Sequence, residues 1–294
     1  MDGSARRLLP GPILPDRLAA KWVLFLLMCL GAAQPIANAQ QVAPASGVSS
    51  PGRQVPHPLD PALELSRESL AHFQANVRDY TALFVKRTRV DGELSQMQHI
   101  SVKIRNPKMT EGKLAVPMGV YLRFLKPDAV KGRELIWVQG QNDGKLMVHQ
   151  AGLLNLATLK LAPDSYLAMR GQRYPVTDIG IENLTKKLIA TAERDRRYGE
   201  CEVKFFPNAK VGAVACRMIQ VTHAVKRPHF DFYRAQVYFS RELNAPIRYV
   251  SWSWPVAQDG EPVLEEEYNY LHVRTNVGLT SLDFDPENPD YQFR

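Results

Sequence analysis

Side chains capable of covalent or acid–base chemistry are plentiful in this 294-residue sequence, with 30 Asp+Glu, 7 His and 3 Cys, but they form none of the common catalytic groupings. No G-x-S-x-G, H-E-x-x-H, P-loop or dinucleotide fingerprint occurs. His223 and His229 flank an expected strand end and turn. A metal site there would need the turn to bring them together with a third ligand, whereas isolated histidines near strand ends are usually polar surface or hydrogen-bonded groups. His149 and His272 offer no better grouping. The run Glu265-Glu266-Glu267 falls in an expected strand, with Glu265 and Glu267 on one face and Glu266 on the other. Paired carboxylates suit proton transfer. A solvated sheet face is the plainer reading, with Glu266 meeting an arginine such as Arg248 across the sheet. The expectation is a protein without catalytic residues, metal or cofactor.

Cys201 and Cys216 suggest a structural role. Residues 201–206 and 214–221 read as strands and 207–210 as a turn between them. A hairpin centred between Asn208 and Ala209 would set the two cysteines opposite each other, and a disulfide there would stabilise by about 3 kcal/mol. The spacing is unlike the C-x-x-C of exchange catalysts.

Aromatic residues carry a different signal. Trp137, Tyr233, Phe239, Tyr249, Trp252, Trp254 and Tyr268 all fall on expected strands, as does Tyr270. Alternation puts Tyr233, Ala235, Val237 and Phe239 on one inward face, and Trp252 and Trp254 on the face of Val250. Ordinary core packing and the lining of a ligand cavity use the same residue types, so both readings stand. The candidate lining set is Trp137, Tyr233, Val237, Phe239, Tyr249, Trp252, Trp254 and Tyr268.

The elements that must position these residues are legible in outline. Asp60 as N-cap, Pro61 at the first position, and Leu63, Leu70, Phe73 and Val77 at helical spacing predict a helix ending near residue 77. Strands are expected at 80–89, 97–105, 119–125, 134–139, 146–149, 201–206, 214–223, 231–240, 247–254 and 263–275. Turns at 90–93 and 141–144 join two of the pairs. Helices are expected at 164–170 and about 178–194. About ten antiparallel strands with so few helices imply an α+β fold: one large curled sheet with the helices on one face. Such a concavity suits an apolar ligand better than polar chemistry.

The N-terminus bears on location. Arg6, Arg7, Arg17 and Lys21 precede an apolar run at 22–33 and an A-x-A site at Ala37-Asn38-Ala39, the pattern of a cleaved export signal over 1–39. The run is shorter than the roughly 18 residues a spanning helix requires. Residues 40–58, rich in Pro, Ser, Gly and Gln, read as a disordered linker, leaving 59–294 as a single domain. Beyond the leader, 33 basic side chains face 28 acidic ones, a mild excess that excludes nucleic acid as the expected partner.

Several blocks carry a resemblance. YLRFLKP at 121–127, KGRE at 131–134, GQNDGKL at 140–146, RYPVTDIGI at 173–181 and VTH at 221–223 are followed by NAPIRY at 244–249, EEYNY at 266–270, NVGL at 276–279 and DFD at 283–285. Together they resemble an exported bacterial family known only as domain-of-unknown-function family 1571. More distantly, the strand ending Phe-Leu-x-Pro, the Lys-Gly-Arg strand start and the late Leu-Asn-x-Pro-Ile-Arg and Tyr-x-Tyr strands are similar to Lol-type outer-membrane lipoprotein carriers. That resemblance implies a half-open β-barrel with helices over its concave face, holding acyl chains without enzymatic activity. The cysteine pair and the 40–58 tail are not features of those carriers. The expected function is an exported, monomeric, non-enzymatic binder or carrier of a lipid or lipoprotein acyl chain, periplasmic or otherwise outside the cytoplasm. The alternative is a periplasmic interaction or regulatory module with an envelope protein partner and a filled core.

Overall fold

The computed structural model describes residues 56–150, 158–257 and 259–293. The expected signal at 1–39, its cleavage site and most of the 40–58 linker lie outside them. Helix α1 (Asp60–Asn76) leads into β1 (Asp79–Val90), β2 (Glu93–Leu94), β3 (Gln98–Arg105), β4 (Lys108–Thr110), β5 (Lys113–Val116), β6 (Gly119–Lys126), β7 (Glu134–Val138), β8 (Leu146–His149) and β9 (Thr158–Leu161). After α2 (Tyr166–Met169) and α3 (Ile181–Asp195) come β10 (Glu202–Val211), β11 (Val214–Thr222), β12 (Arg234–Ser240), β13 (Ala245–Ser253) and β14 (Val263–Thr275). The fold is α+β: one antiparallel sheet ordered β10-β11-β12-β13-β14-β1-β3-β6-β7-β8-β9, with β2 paired to β1 and β4-β5 forming a separate hairpin. The edge strands β10 and β9 do not meet, so the barrel stays half-open. Among the described residues, no helix is long and apolar enough to cross a membrane.

Alternation in the central strands selects the inner face. Tyr80, Ala82 and Phe84 of β1, Ile100, Val102 and Ile104 of β3, and Val120, Leu122 and Phe124 of β6 join one core with Phe73 of α1 and Ile181 of α3. On the other face, the chain after β14 folds back. Its Phe284, Tyr291 and Phe293 cover Tyr121, Ile136, Val138 and Met147, with Tyr291 stacked on Tyr121 at 4.0 Å. This return leaves Glu134 fully buried, where it accepts hydrogen bonds from Tyr121 Oη (3.0 Å) and Gln292 N (2.8 Å).

α1 and α3 pack on each other and on β13. Asp60 is the first helical residue of α1 rather than its cap; its carboxylate accepts from His57 N and pairs with Arg196 just beyond α3. The start of α3 has no side-chain cap of its own, because Gly180 stands at the N-cap with φ +111°. The sheet supplies what is missing: Ile181 N donates to Tyr80 Oη (2.9 Å) and Gly180 N to Tyr270 Oη (3.0 Å). Free N–H groups at a helix start need acceptors, and burial keeps the Tyr80 hydroxyl protonated by raising its pKa well above the usual value.

The disulfide expectation is overturned. Cys201 and Cys216 are both free thiols. β10 runs on through Pro207 and Asn208 as an irregularity and turns only at Gly212, so Ala209, not Cys201, stands opposite Cys216. Extending the register sets Cys201 level with His223, seven residues from Cys216 and roughly 23 Å away at the strand rise. A disulfide needs Cα atoms within about 7 Å. Burial pushes the Cys201 thiol up to about 11, with Asp195 adding to the shift, which makes it a poor nucleophile.

Two outcomes are expected. Alkylation of the denatured protein without reductant should label both Cys201 and Cys216, and the melting temperature should not respond to reductant; a cross-linked peptide in the mass spectrum would refute the β10-β11 register. Tyr80→Phe keeps the ring but orphans the Ile181 N–H, so urea unfolding should show a loss of about 1–3 kcal/mol. Unchanged stability would mean that this cap is dispensable.

Candidate functional site

Aromatic rings form a continuous floor on the inner face. Tyr249 of β13, Tyr268 of β14, Phe84 of β1 and Tyr270 of β14 stand in adjacent registers. Their rings lie nearly parallel, with centroids 6.3 Å (Tyr249–Tyr268), 5.9 Å (Tyr268–Phe84) and 4.7 Å (Phe84–Tyr270) apart. Offset stacking of this kind contributes beyond simple burial. Two cavities open above this floor.

The larger, about 800 Å³, lies between the sheet and the segment 163–184, which carries α2, a 3-10 turn (Val176–Asp178) and the start of α3. Its apolar wall includes Phe84, Ile100, Leu122, Phe124, Val148 and Leu161. Leu159 and Leu167 also border it and are largely exposed, marking an apolar rim that faces solvent. The smaller, about 430 Å³, lies between α1, α3 and β11 to β14 and is bordered by Ala62, Leu188, Ile219, Val237, Phe239 and Tyr249. Both volumes fall within the range of small-molecule sites, about 300–1,000 Å³.

Tyr174, Leu184, Lys187 and Tyr268 border both cavities and form the partition between them. At its centre is Glu266, which is 4% exposed. It accepts from Tyr268 Oη (2.9 Å), Ser251 Oγ (3.3 Å) and Tyr174 Oη (3.4 Å), and Arg173 Nε is 3.6 Å away. A bulge at Ser251/Trp252 offsets the β13-β14 register, and Arg173 also reaches Glu265 at 3.2 Å. Lys187 Nζ sits 3.1 Å from the Tyr174 ring centroid, a cation–π contact. Burial, with Glu266 adding to it, raises the Tyr174 hydroxyl to about 12, so it remains protonated. Nothing in this cluster leaves a basic carboxylate or a nucleophile free for attack; its chemistry is that of a satisfied polar post.

The expected lining set divides. Val237, Phe239, Tyr249 and Tyr268 border the cavities, while Trp137, Tyr233, Trp252 and Trp254 lie outside both. Trp137 is buried in the core, with Nε1 donating to Gly144 O (3.1 Å) at the turn after β7. Tyr233 precedes β12 and meets Trp254 edge-on at 6.4 Å. Trp252 lies under the Arg234 guanidinium at 4.6 Å, and Trp254 Nε1 donates to His223 O (3.0 Å). For Trp252 the physical reason is strand parity: Tyr249 and Ser251 occupy the inner row of β13, which sends Trp252 to the opposite side. Glu267, not Glu266, meets Arg248 (2.7 Å), and also Arg87 (3.0 Å).

Sequence reasoning placed helices over the concave face but missed the contributions of Phe84, Lys86 and the stretch Gln172, Arg173 and Tyr174 between those helices. The alternation of β1 carried a signal for the first two, since Tyr80, Ala82, Phe84, Lys86 and Thr88 share one face.

A family profile described as "Protein of unknown function (DUF1571)" matches residues 77–293. The chain belongs to that family. Among solved structures it is similar to the lipoprotein LppX of Mycobacterium tuberculosis, at 12% identity over 77% of this chain and 100% of that one, with TM-score 0.39. It is also similar to a DUF1329 family protein from Desulfovibrio piger (13% identity, 78% and 98% covered, TM-score 0.38). A LolA superfamily protein from Nitrosomonas europaea is a further likeness (8% identity, 75% and 97% covered, TM-score 0.30). No curated protein matches the sequence.

His223 and His229 do not converge on a common ligand. His223 is fully buried, stacked on Phe230 at 3.8 Å, with Nδ1 3.3 Å from Phe232 O and Nε2 3.7 Å from Asp195 Oδ2. His229 stacks on Tyr198 at 3.6 Å. Burial holds the His223 pKa down at about 4, against the opposing pull of the Phe232 carbonyl. An unfolded histidine protonates near 6.5, so the stability conferred by the neutral ring is present above pH 6.5 and is lost as pH falls towards 4. His223 should therefore remain neutral at pH 5 by imidazole NMR. Unfolding free energy should fall between pH 6.5 and 4, with a shallower slope in His223→Phe; equal slopes would reject this assignment.

Proposed function

We propose that the protein is a non-enzymatic binder or carrier of an acyl chain, from a lipid or a lipoprotein, in the cell envelope. The observation that carries this reading is the cavity of about 800 Å³ between the sheet and the segment 163–184, with its apolar wall and exposed apolar rim. Each methylene moved from water into such a wall contributes roughly 0.8 kcal/mol. A long chain therefore supplies affinity in excess of the cost of immobilising it. The leader-like pattern over 1–39 supports a location outside the cytoplasm. A monomer is sufficient, because one chain provides floor, walls and cover.

Within the candidate lining set, Tyr268 keeps the role of a ligand contact in the larger cavity, and Val237, Phe239 and Tyr249 keep it for a chain that extends into the smaller one. The alternative, an interaction module with a filled core and an envelope protein partner, fits less well, since the aromatic rings lie as a floor beneath the cavity rather than within it.

Native mass spectrometry after gentle purification should detect an acyl ligand, and a fluorescent fatty-acid analogue should bind at micromolar concentration or below. Ala168→Phe, on the covering side of the larger cavity, should weaken that binding about 10-fold or more while leaving the melting temperature within a few degrees. Failure of the purified protein to take up any acyl probe would sink the carrier reading.

A further inference from the structure

The larger cavity is not uniformly greasy. Lys86 borders it from β1, opposite Tyr268 in the β1-β14 register and two residues beyond Phe84, both of which also border it. Its ammonium has three donors, and among the described residues its hydrogen-bond partner is the neutral Gln172 Oε1, at 2.6 Å. Glu266, the carboxylate whose charge acts on it, is already engaged by Arg173, Tyr268, Ser251 and Tyr174. Arg173 takes Glu265 as well. No carboxylate of the described residues lies within ion-pair distance of Lys86. Burial consequently drags its pKa down to about 8, and Glu266 offsets only part of that. Three further cations, Arg133, Arg170 and Lys187, border the same cavity against one acidic residue, Asp178.

Even a partly buried cation without a counter-ion is costly. A cavity that seeks only hydrocarbon has no use for one. An amphiphile with a negative head removes the difficulty: its tail replaces water along the apolar wall, and its head supplies the acceptors that Lys86 lacks.

We propose that Lys86 anchors the anionic head of the bound acyl ligand, a carboxylate or a phosphate monoester, inside the larger cavity. This rests on the acyl-binding reading and adds the head-group class to it. Lys86 supplies a charge-assisted hydrogen bond in a site of low dielectric, with Gln172 holding the ammonium in place.

The test compares ligands that share a tail. Binding of palmitate, hexadecyl phosphate and hexadecanol to the purified mature protein is measured by displacement of a neutral fluorescent acyl probe, for wild type, Lys86→Met and Lys86→Arg. Wild type should prefer one or both anions over the alcohol by about 10-fold or more, the effect of one hydrogen bond to a charged group. Lys86→Met should abolish that preference while keeping hexadecanol within about threefold, and Lys86→Arg should retain most of it. Preference for palmitate alone assigns a fatty acid, and for the phosphate alone a phospholipid-type head. Undiminished preference in Lys86→Met, or no preference in wild type, overturns the anchor while leaving acyl binding intact. Failure of all three ligands overturns the acyl-binding reading itself. Should Lys86→Met not fold by circular dichroism, Lys86→Gln removes the same charge and answers the same question.

Discussion

The start of α3 is held by two hydroxyls that belong to the sheet. Tyr80 and Tyr270 accept from the first amides of the helix, and their rings pack edge-on 6.5 Å apart. Gly180 is required at that junction twice over: its φ of +111° suits glycine, and an added Cβ would come within 3.3 Å of Tyr80 Oη. This pair of bonds fixes the height and direction of α3 over the sheet, and through it the segment 163–179 that precedes it. A helix resting directly on the aromatic floor would fill the space with its own side chains. Pinned at its N-terminus on the far ends of two tyrosines, α3 instead leaves the floor uncovered to one side.

A second constraint separates the two cavities. Glu266 would be prohibitively costly alone in such surroundings, and three hydroxyls and Arg173 make it tolerable. The same contacts tie the covering segment to β13 and β14, since Arg173 and Tyr174 belong to the cover and Ser251, Glu266 and Tyr268 to the sheet. Apolar side chains alone could hold these layers at many relative offsets. A saturated carboxylate accepts far fewer, so the network sets where the cover sits, a role for buried polar groups that depends on every member being satisfied. Lys86, one register further along β1, is outside this closed set, and that is what distinguishes an anchoring charge from a structural one.

Much of this was readable from residue order. The class of fold, the three helices and ten of the strands follow from periodicity, because each buries one face against a common core. Four strands were not: the two-residue β2, the short hairpin strands β4 and β5, and the edge strand β9, which are too short or too exposed to carry an inward stripe. The turn between β10 and β11 misled for a related reason: Pro207-Asn208 is a strong breaker locally, but an edge strand absorbs it as an irregularity and continues to Gly212. Half of the expected lining residues border the cavities; of the others, Trp252 stands on the opposite side of β13 by parity, Tyr233 precedes β12, and Trp137 packs within the core. A bulge at Ser251/Trp252 changes which side of β14 meets the cover, and no single-strand alternation reveals a bulge. The covering residues Gln172, Arg173 and Tyr174 were invisible because a segment without regular structure has no period to read.

The openness of the sheet is consistent with this arrangement of costs. Closing β9 onto β10 would remove both exposed edges, but would also fix the circumference and hence the cavity. Here the outer face is instead secured by the chain after β14, whose Tyr291 and Phe293 pack over β6, β7 and β8 and whose Asp283 bonds Lys103 at 2.7 Å. Strands β6 to β9, which form one wall of the larger cavity, are thus clamped from outside. Their inner side chains can then be left short of full packing without the sheet losing its shape. Support from one face and space on the other is the physical condition under which an apolar wall can receive a chain that is not its own.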